Sequence, residues 1–232
     1  MGIEGTPEQP QPLVWKEPKP TALTWTFSLL LIPTLLCLSI WFFCYPFVFR
    51  QFYKLSVGEE QMREASRVVG WLGGSAPVED LAARLRGGAL GEKEMAHFVD
   101  VRAWLLHAKT FAIVGSLALV IISFLARGRV SSFAEFLIAA GGRALLIFGA
   151  LVLLGGILAL WDWKLFFAWI HYPFFGATSW KLPKASYTLQ LFPTAYWRLM
   201  GIALALTPLV TLAALVGGAW WVKRRLAQPA SL

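Results

Sequence analysis

The chain holds three histidines, His97, His107 and His171, and two of them stand where an imidazole could do chemistry. In Glu94-Met95-Ala96-His97-Phe98-Val99-Asp100-Val101 the spacing of three and four residues brings Glu94, His97, Asp100, Val101 and Trp104 onto one helical face. A carboxylate beside an imidazole fixes its tautomer and raises its basicity, as a general base requires. An H-x-x-D pair taken alone is more often a solvent-facing histidine beside a surface acid. His171 lies in Trp169-Ile170-His171-Tyr172-Pro173-Phe174-Phe175. An ionisable ring among aromatics costs free energy unless it finds a partner, and the alternative is a ring snorkelling at a membrane interface. His107 follows His97 by ten residues, about 15 Å along a helix and on another face, which suits a juxtamembrane residue. No G-x-S-x-G, H-E-x-x-H or C-x-x-C occurs. Cys37 and Cys44, seven apart on one helix, cannot bridge each other. The pattern implies neither metal nor cofactor.

These residues must be held by a membrane protein. Hydrophobic residues make up 57% of the 232, with 12 tryptophans, more than a soluble domain of this length can hide. The predicted fold class is an all-α integral membrane protein with four transmembrane helices, since strands would leave backbone groups unpaired in lipid. The predicted order is a disordered cytoplasmic tail (1–21), a first span (22–49), an extracytoplasmic helical domain (50–107), a second span (108–127), a cytoplasmic loop (128–143), a third span (144–164), an aromatic interfacial segment (165–197), a fourth span (198–222) and a cytoplasmic tail (223–232). Pro33 and Pro208 are expected to kink spans rather than end them. Gly141-Gly142 and Gly217-Gly218 read as turn and helix-packing features. The first apolar run is too long, and too aromatic at its end, for a cleaved signal peptide. An even number of spans puts both termini on one side. Arg127-Gly128-Arg129 and Lys223-Arg224-Arg225 mark that side as cytoplasmic, although Lys164, Lys181, Lys184 and Arg198 fall opposite.

Two segments then face outward. In the larger, Met62, Ala65, Val69 and Leu72 define one amphipathic helix ending near Gly73-Gly74. A second is expected from Pro77, burying Val78, Leu81 and Leu85, to Gly87-Gly88. A third begins near Glu92 and runs on into the second span, carrying His97. The other segment carries His171 among Trp169, Tyr172, Phe174, Phe175, Trp180, Tyr187, Phe192, Tyr196 and Trp197, a composition suited to the headgroup layer.

From about Leu23 to Val222 the chain resembles the bacterial four-span lipoprotein intramolecular transacylases, the Lit family. Leu55-Ser56 through Arg67-Val68-Val69, followed by Gly91 through Val101, resembles the family's E-x-x-H-x-x-D-V signature. His171, Phe174, Trp180, Leu182, Leu189 and Pro193 resemble its second. The chain departs from the pattern after Trp180, where Lys181, Pro183, Lys184 and Ser186-Tyr187 stand in place of acids. The resemblance implies transfer of the sn-2 acyl chain of a lipoprotein's diacylglyceryl-cysteine to that cysteine's α-amine, giving the lyso-form. It implies no cofactor, and as partners diacylated lipoproteins and membrane lipids, with no nucleic acid. An amine of pKa near 8 needs a base to strip its proton, and an imidazole suits that task. His97 and His171 would share the base and acid roles, in an order left open, with Asp100 orienting His97. Arg102 and Lys181 are candidates for oxyanion stabilisation, and Glu94, Arg102, Trp180 and Lys181 for substrate binding. The site would lie at the outer leaflet of the bacterial inner membrane, with the two imidazoles within roughly 10 Å of each other.

Other classes compete. Two histidines in four spans could ligate haem, but His97 sits in a polar helix outside the hydrocarbon. A scaffold or transporter component is a second alternative, although charges within the spans are few. An acyltransferase drawing on phospholipid is a third.

Overall fold

The computed structural model describes residues 22–59, 61–74, 77, 79–81, 90–127, 133–176 and 179–227. Among these, every regular element is a helix. Four are long and apolar enough to cross a membrane: α1 (Ala22–Phe43), α4 (Glu92–Arg127), α5 (Phe133–Trp161) and α8 (Thr194–Ala227). Their outer faces stay apolar, with Leu117, Val120, Phe124, Leu146, Leu153, Leu160 and Val210 exposed. So many bare aliphatic side chains on a bundle are at rest only against lipid.

Inside the bundle, α5 packs on α8, and α1 packs on both α4 and α5. Small residues bring the backbones together, as helix association in lipid requires. A methyl group on Gly115 of α4 would collide with Thr34 of α1, and one on Gly141 of α5 would press on Val216 of α8 at 3.0 Å. The Ser28 hydroxyl donates to Ala140 O at 2.9 Å, joining α1 to α5. Around these contacts Phe27, Leu31, Phe136, Ala144, Phe148 and Leu212 form one buried cluster.

A second cluster lies at the other end of the bundle, where short helices cap it. These are α2 (Pro46–Ser56), α3 (Met62–Leu72), α6 (Trp163–Phe175) and α7 (Tyr187–Leu191). The α3 face expected from its periodicity is buried at Ala65, Val69 and Leu72, and Val68 and Trp71 are buried with it. Phe49 and Tyr53 of α2 pack with Phe98, Phe192 and Tyr196. The Tyr53 hydroxyl donates to Leu191 O at 2.5 Å and so ties α2 to the end of α7.

Helix bounds differ from the sequence reading in several places, each with a local cause. The first span ends at Phe43 rather than Phe49. Pro46 holds Tyr45 extended and opens a new helix at its own first turn. The third span reaches back to Phe133, into the expected cytoplasmic loop, so Gly141 and Gly142 form no turn and lie mid-helix. It ends at Trp161 because the Asp162 carboxylate caps α6, accepting from Lys164 N at 2.9 Å and Leu165 N at 3.1 Å. The fourth span starts at Thr194, one turn early. Both Pro33 and Pro208 lie within continuous helices. The short helix expected from Pro77 falls largely outside the described residues, although Leu81 is buried.

Candidate active site

His97 is carried on the second turn of α4, and His171 on α6, just past the end of α5. Both rings lie against Phe175, with centroids 5.1 Å from His97 and 5.5 Å from His171. The imidazoles are therefore no further apart than those two distances laid end to end. They are close enough for the charge of His171 to act on His97.

His171 sits in an aromatic box. Phe167 stacks on it at 3.8 Å from one helical turn below, Phe175 flanks it from one turn above, and Trp180 closes in at 5.2 Å. Its Nδ1 is 2.8 Å from Phe167 O. A carbonyl can only accept, so in the neutral ring Nδ1 carries the proton and Nε2 presents its lone pair. Burial lowers the His171 pKa below 6.5, and the Phe167 carbonyl opposes this in part.

His97 is more strongly perturbed. Burial, then the nearness of His171, push its pKa down to about 4, while the Asp100 carboxylate pulls it upward. The ring is therefore neutral near pH 7. Its Nδ1 is enclosed without a hydrogen-bond partner among the described residues. Asp100 acts on His97 through its charge, one turn along α4, without a hydrogen bond to the enclosed nitrogen.

The Trp180 segment is folded back over His171 by a glycine. Gly176 ends α6 at φ 64°, a conformation only glycine takes cheaply, and its carbonyl accepts from Trp180 Nε1 at 2.9 Å. A second tryptophan fixes the helix pair: Trp104 Nε1, on the His97 side of α4, donates to Phe174 O at 2.7 Å.

The remaining sequence candidates stand apart from the imidazole pair. Glu94 is buried and occupied: Oε1 accepts from Thr188 N and Thr188 Oγ1, each at 2.7 Å, and Oε2 from Gly91 N at 3.0 Å. Arg102 donates to Gly74 O and lies 4.4 Å over Trp71, so it braces the end of α3. The exposed Lys181 ammonium lies 5.6 Å from the Trp180 ring. His107 is exposed, with its ring 5.8 Å from that of Trp104.

Comparison with known proteins agrees with this architecture. The family described as "Lipoprotein intramolecular transacylase Lit" matches residues 22–197. The chain belongs to the Lit family. It is accordingly a transacylase, an acyltransferase integral to a membrane and acting on lipoproteins. An in meso structure of the membrane integral lipoprotein intramolecular transacylase Lit from Bacillus cereus superposes with a TM-score of 0.61 at 16% identity, covering 88% of this chain and 96% of the other. Two further structures of that protein, with a histidine replaced by arginine or by alanine, give 0.58 and 0.57 at the same identity. They cover 89% of this chain and 93% and 94% of theirs. No curated protein matches the chain.

In this Lit-family chain the sequence reading missed Phe167, Phe175 and Thr188. The two phenylalanines stand four residues either side of His171, so a helical reading of that segment would have placed both on its ring. Thr188 is brought to Glu94 by tertiary folding, and no local pattern announces it.

Proposed function

We propose that His171 is the general base and His97 the hydrogen-bond donor in transfer of the sn-2 acyl chain from the diacylglyceryl group to the cysteine α-amine. The observation that carries this is two imidazoles set against one phenylalanine, Phe175, with Nδ1 of His171 engaged by Phe167 O and Nδ1 of His97 enclosed, which leaves the two Nε2 atoms for the reaction. The neutral amine attacks the ester carbonyl, and a C–N bond forms. Nε2 of His171 takes the proton the nitrogen sheds. A neutral imidazole of low pKa remains a donor at neutral pH, so His97 can hydrogen-bond the tetrahedral oxyanion without first losing a charge. The C–O bond to glycerol then breaks, and the proton held by His171 passes to the leaving oxygen. The products are an amide on the cysteine and a free glycerol hydroxyl, with no atom gained or lost.

Holding amine and ester in one folded-back pose contributes several kcal/mol, because the reaction is intramolecular. Asp100 tunes His97, and Trp180 covers His171 as a wall of the substrate cleft. Arg102 and Lys181, bound elsewhere or exposed, are weaker oxyanion candidates than His97. Glu94 serves the fold rather than the substrate. The first turns of α4, which carry His97, and α6 both lie at the end of the bundle opposite Arg127 and Lys223. With basic clusters cytoplasmic, this arrangement supports a site at the outer leaflet of the bacterial cell membrane, where a lipid-anchored substrate presents its ester.

The test is mass spectrometry of the N-terminal peptide of a lipoprotein co-expressed with this chain. The expected peptide has unchanged mass, with fragment ions carrying one acyl group on nitrogen. A mass increase of one acyl chain would instead establish transfer from phospholipid.

A further inference from the structure

We propose that Glu94 and Thr188 form a latch that sets the position of His97 relative to His171, making both positioning residues for the transacylation. The proposal rests on the reading of the two histidines as the reacting pair.

The latch begins with a half-used cap. Glu94 is the third residue of α4 and reaches back to Gly91 N, as a capping-box glutamate does. Glycine has no side chain to return the bond, and one carboxylate oxygen suffices for it. The other oxygen is spent 94 residues away in sequence, on the backbone and hydroxyl of Thr188. Thr188 N is an orphan donor in the first turn of α7, where Ser186 Oγ serves only Leu189 N. One buried carboxylate thus caps two helices, one of them the His97 helix.

The α7 side of the latch leads to His171. The segment from Trp180 to α7 has no helix of its own, and Lys93, beside Glu94, holds it by donating to Lys181 O at 2.7 Å. Trp180, at the head of that segment, covers the His171 ring. Lys93 and Glu94 therefore clamp the segment that closes over one histidine, one turn from the other. Beyond the cleft, Trp104 makes the complementary tie from α4 to α6. Breaking the Glu94 link frees α4 and the Trp180 segment to separate and admits water between the rings.

A direct substrate contact and a positioning latch give opposite kinetic signatures. Losing a substrate contact raises KM. Losing the latch lowers kcat with KM nearly unchanged, because reacting groups misplaced by about 1 Å cost on the order of 100-fold.

The experiment uses the full chain in detergent with a diacylated lipopeptide, alongside NMR titration of the histidine rings. Expected results are a kcat about 100-fold lower in Glu94→Ala with KM within about twofold, about tenfold lower in Thr188→Val, and near wild type in Thr188→Ser, which keeps the hydroxyl. The double variant Glu94→Ala, Thr188→Val should be no slower than Glu94→Ala, since both remove one link. The His97 titration should also move up toward 6.5 as water enters and relieves the burial that holds it down, with Asp100 on its own helix favouring the rise and His171 on α6 opposing it. An unmoved His97 titration, or equal loss of kcat in Thr188→Ser and Thr188→Val, would overturn the latch. If Glu94→Ala does not fold, the two Thr188 variants carry the test. A moved titration with undiminished turnover leaves the latch standing and refutes the histidine mechanism.

Discussion

The two ends of the bundle are held together in different ways. In the spans, most hydroxyls bond back to their own helix: Thr26 to Ala22 O, Thr34 to Leu30 O, Ser39 to Leu35 O, Thr207 to Ala203 O and Thr211 to Thr207 O. Cohesion between helices there comes from close approach at Gly115 and Gly141, with Ser28 to Ala140 O one crossing bond and the Lys223–Glu135 ion pair at 2.9 Å another link. At the histidine end the bonds run between segments far apart in sequence: Glu94 to Thr188, Lys93 to Lys181 O, Trp104 to Phe174 O, Tyr53 to Leu191 O. Steric packing tolerates sliding within a groove, whereas directional bonds fix orientation. The end proposed to do the chemistry is the one that needs orientation, and these bonds are placed there.

Breaking the chemistry should have the largest effect. His171→Ala is expected to lower turnover by about 10²–10⁴, the usual contribution of a general base, with the protein still folded in detergent. His97→Ala, which removes an oxyanion donor, should cost about 10²–10³. Both are read from the fraction of N-acylated peptide at fixed time. Full activity in either variant removes that residue from the mechanism.

A packing change should act on the opposite end and through stability. Gly115→Leu forces α4 away from Thr34, and overpacking of this kind costs about 1–3 kcal/mol. Thermal unfolding in detergent should show a lowered Tm, while the fraction that remains folded keeps a near-normal KM. A loss confined to kcat with unchanged Tm would erase the distinction between the two ends.

Smaller effects should follow from single bonds and charges at the site. Trp104→Phe keeps the ring against Phe174 but loses the donor to its carbonyl, so turnover should fall about threefold to tenfold, the equivalent of one hydrogen bond of about 1 kcal/mol. Asp100→Asn removes the charge that raises the His97 pKa, so that pKa should fall below about 4. Because His97 is already neutral near pH 7, activity there should change less than about threefold. A large loss would mean that Asp100 touches substrate or proton directly.

Much of this was legible in the sequence because lipid imposes simple rules. Long apolar runs gave four spans, and the three-and-four spacing of Met62, Ala65, Val69 and Leu72 gave α3. The signature around Glu94, His97 and Asp100 led to the family. Boundaries were misread where one residue overrides composition: Pro46 restarting a helix inside an apolar run, and Asp162 capping a new one. The two histidines were legible as candidates, but their surroundings were not. The aromatic richness of 165–197 was read as an interfacial segment, which hid the helical pairing of Phe167 and Phe175 with His171. Glu94 was read as reaching for substrate because sequence shows a charge but not the Thr188 that occupies it. Arg102, similarly, is spent on Gly74 and Trp71.

The central claim, that the two imidazoles share one site and are neutral when they act, is tested most directly by NMR titration of the ring nitrogens in wild type and in His171→Ala. Three histidines in the whole chain make the signals assignable. In wild type, His97 should titrate near 4 and His171 below 6.5. In His171→Ala, His97 should shift upward toward 6.5, because a neighbouring cation and part of the enclosing wall are gone. A His97 midpoint at or above 6.5 in wild type, or one unmoved by loss of His171, would contradict the account.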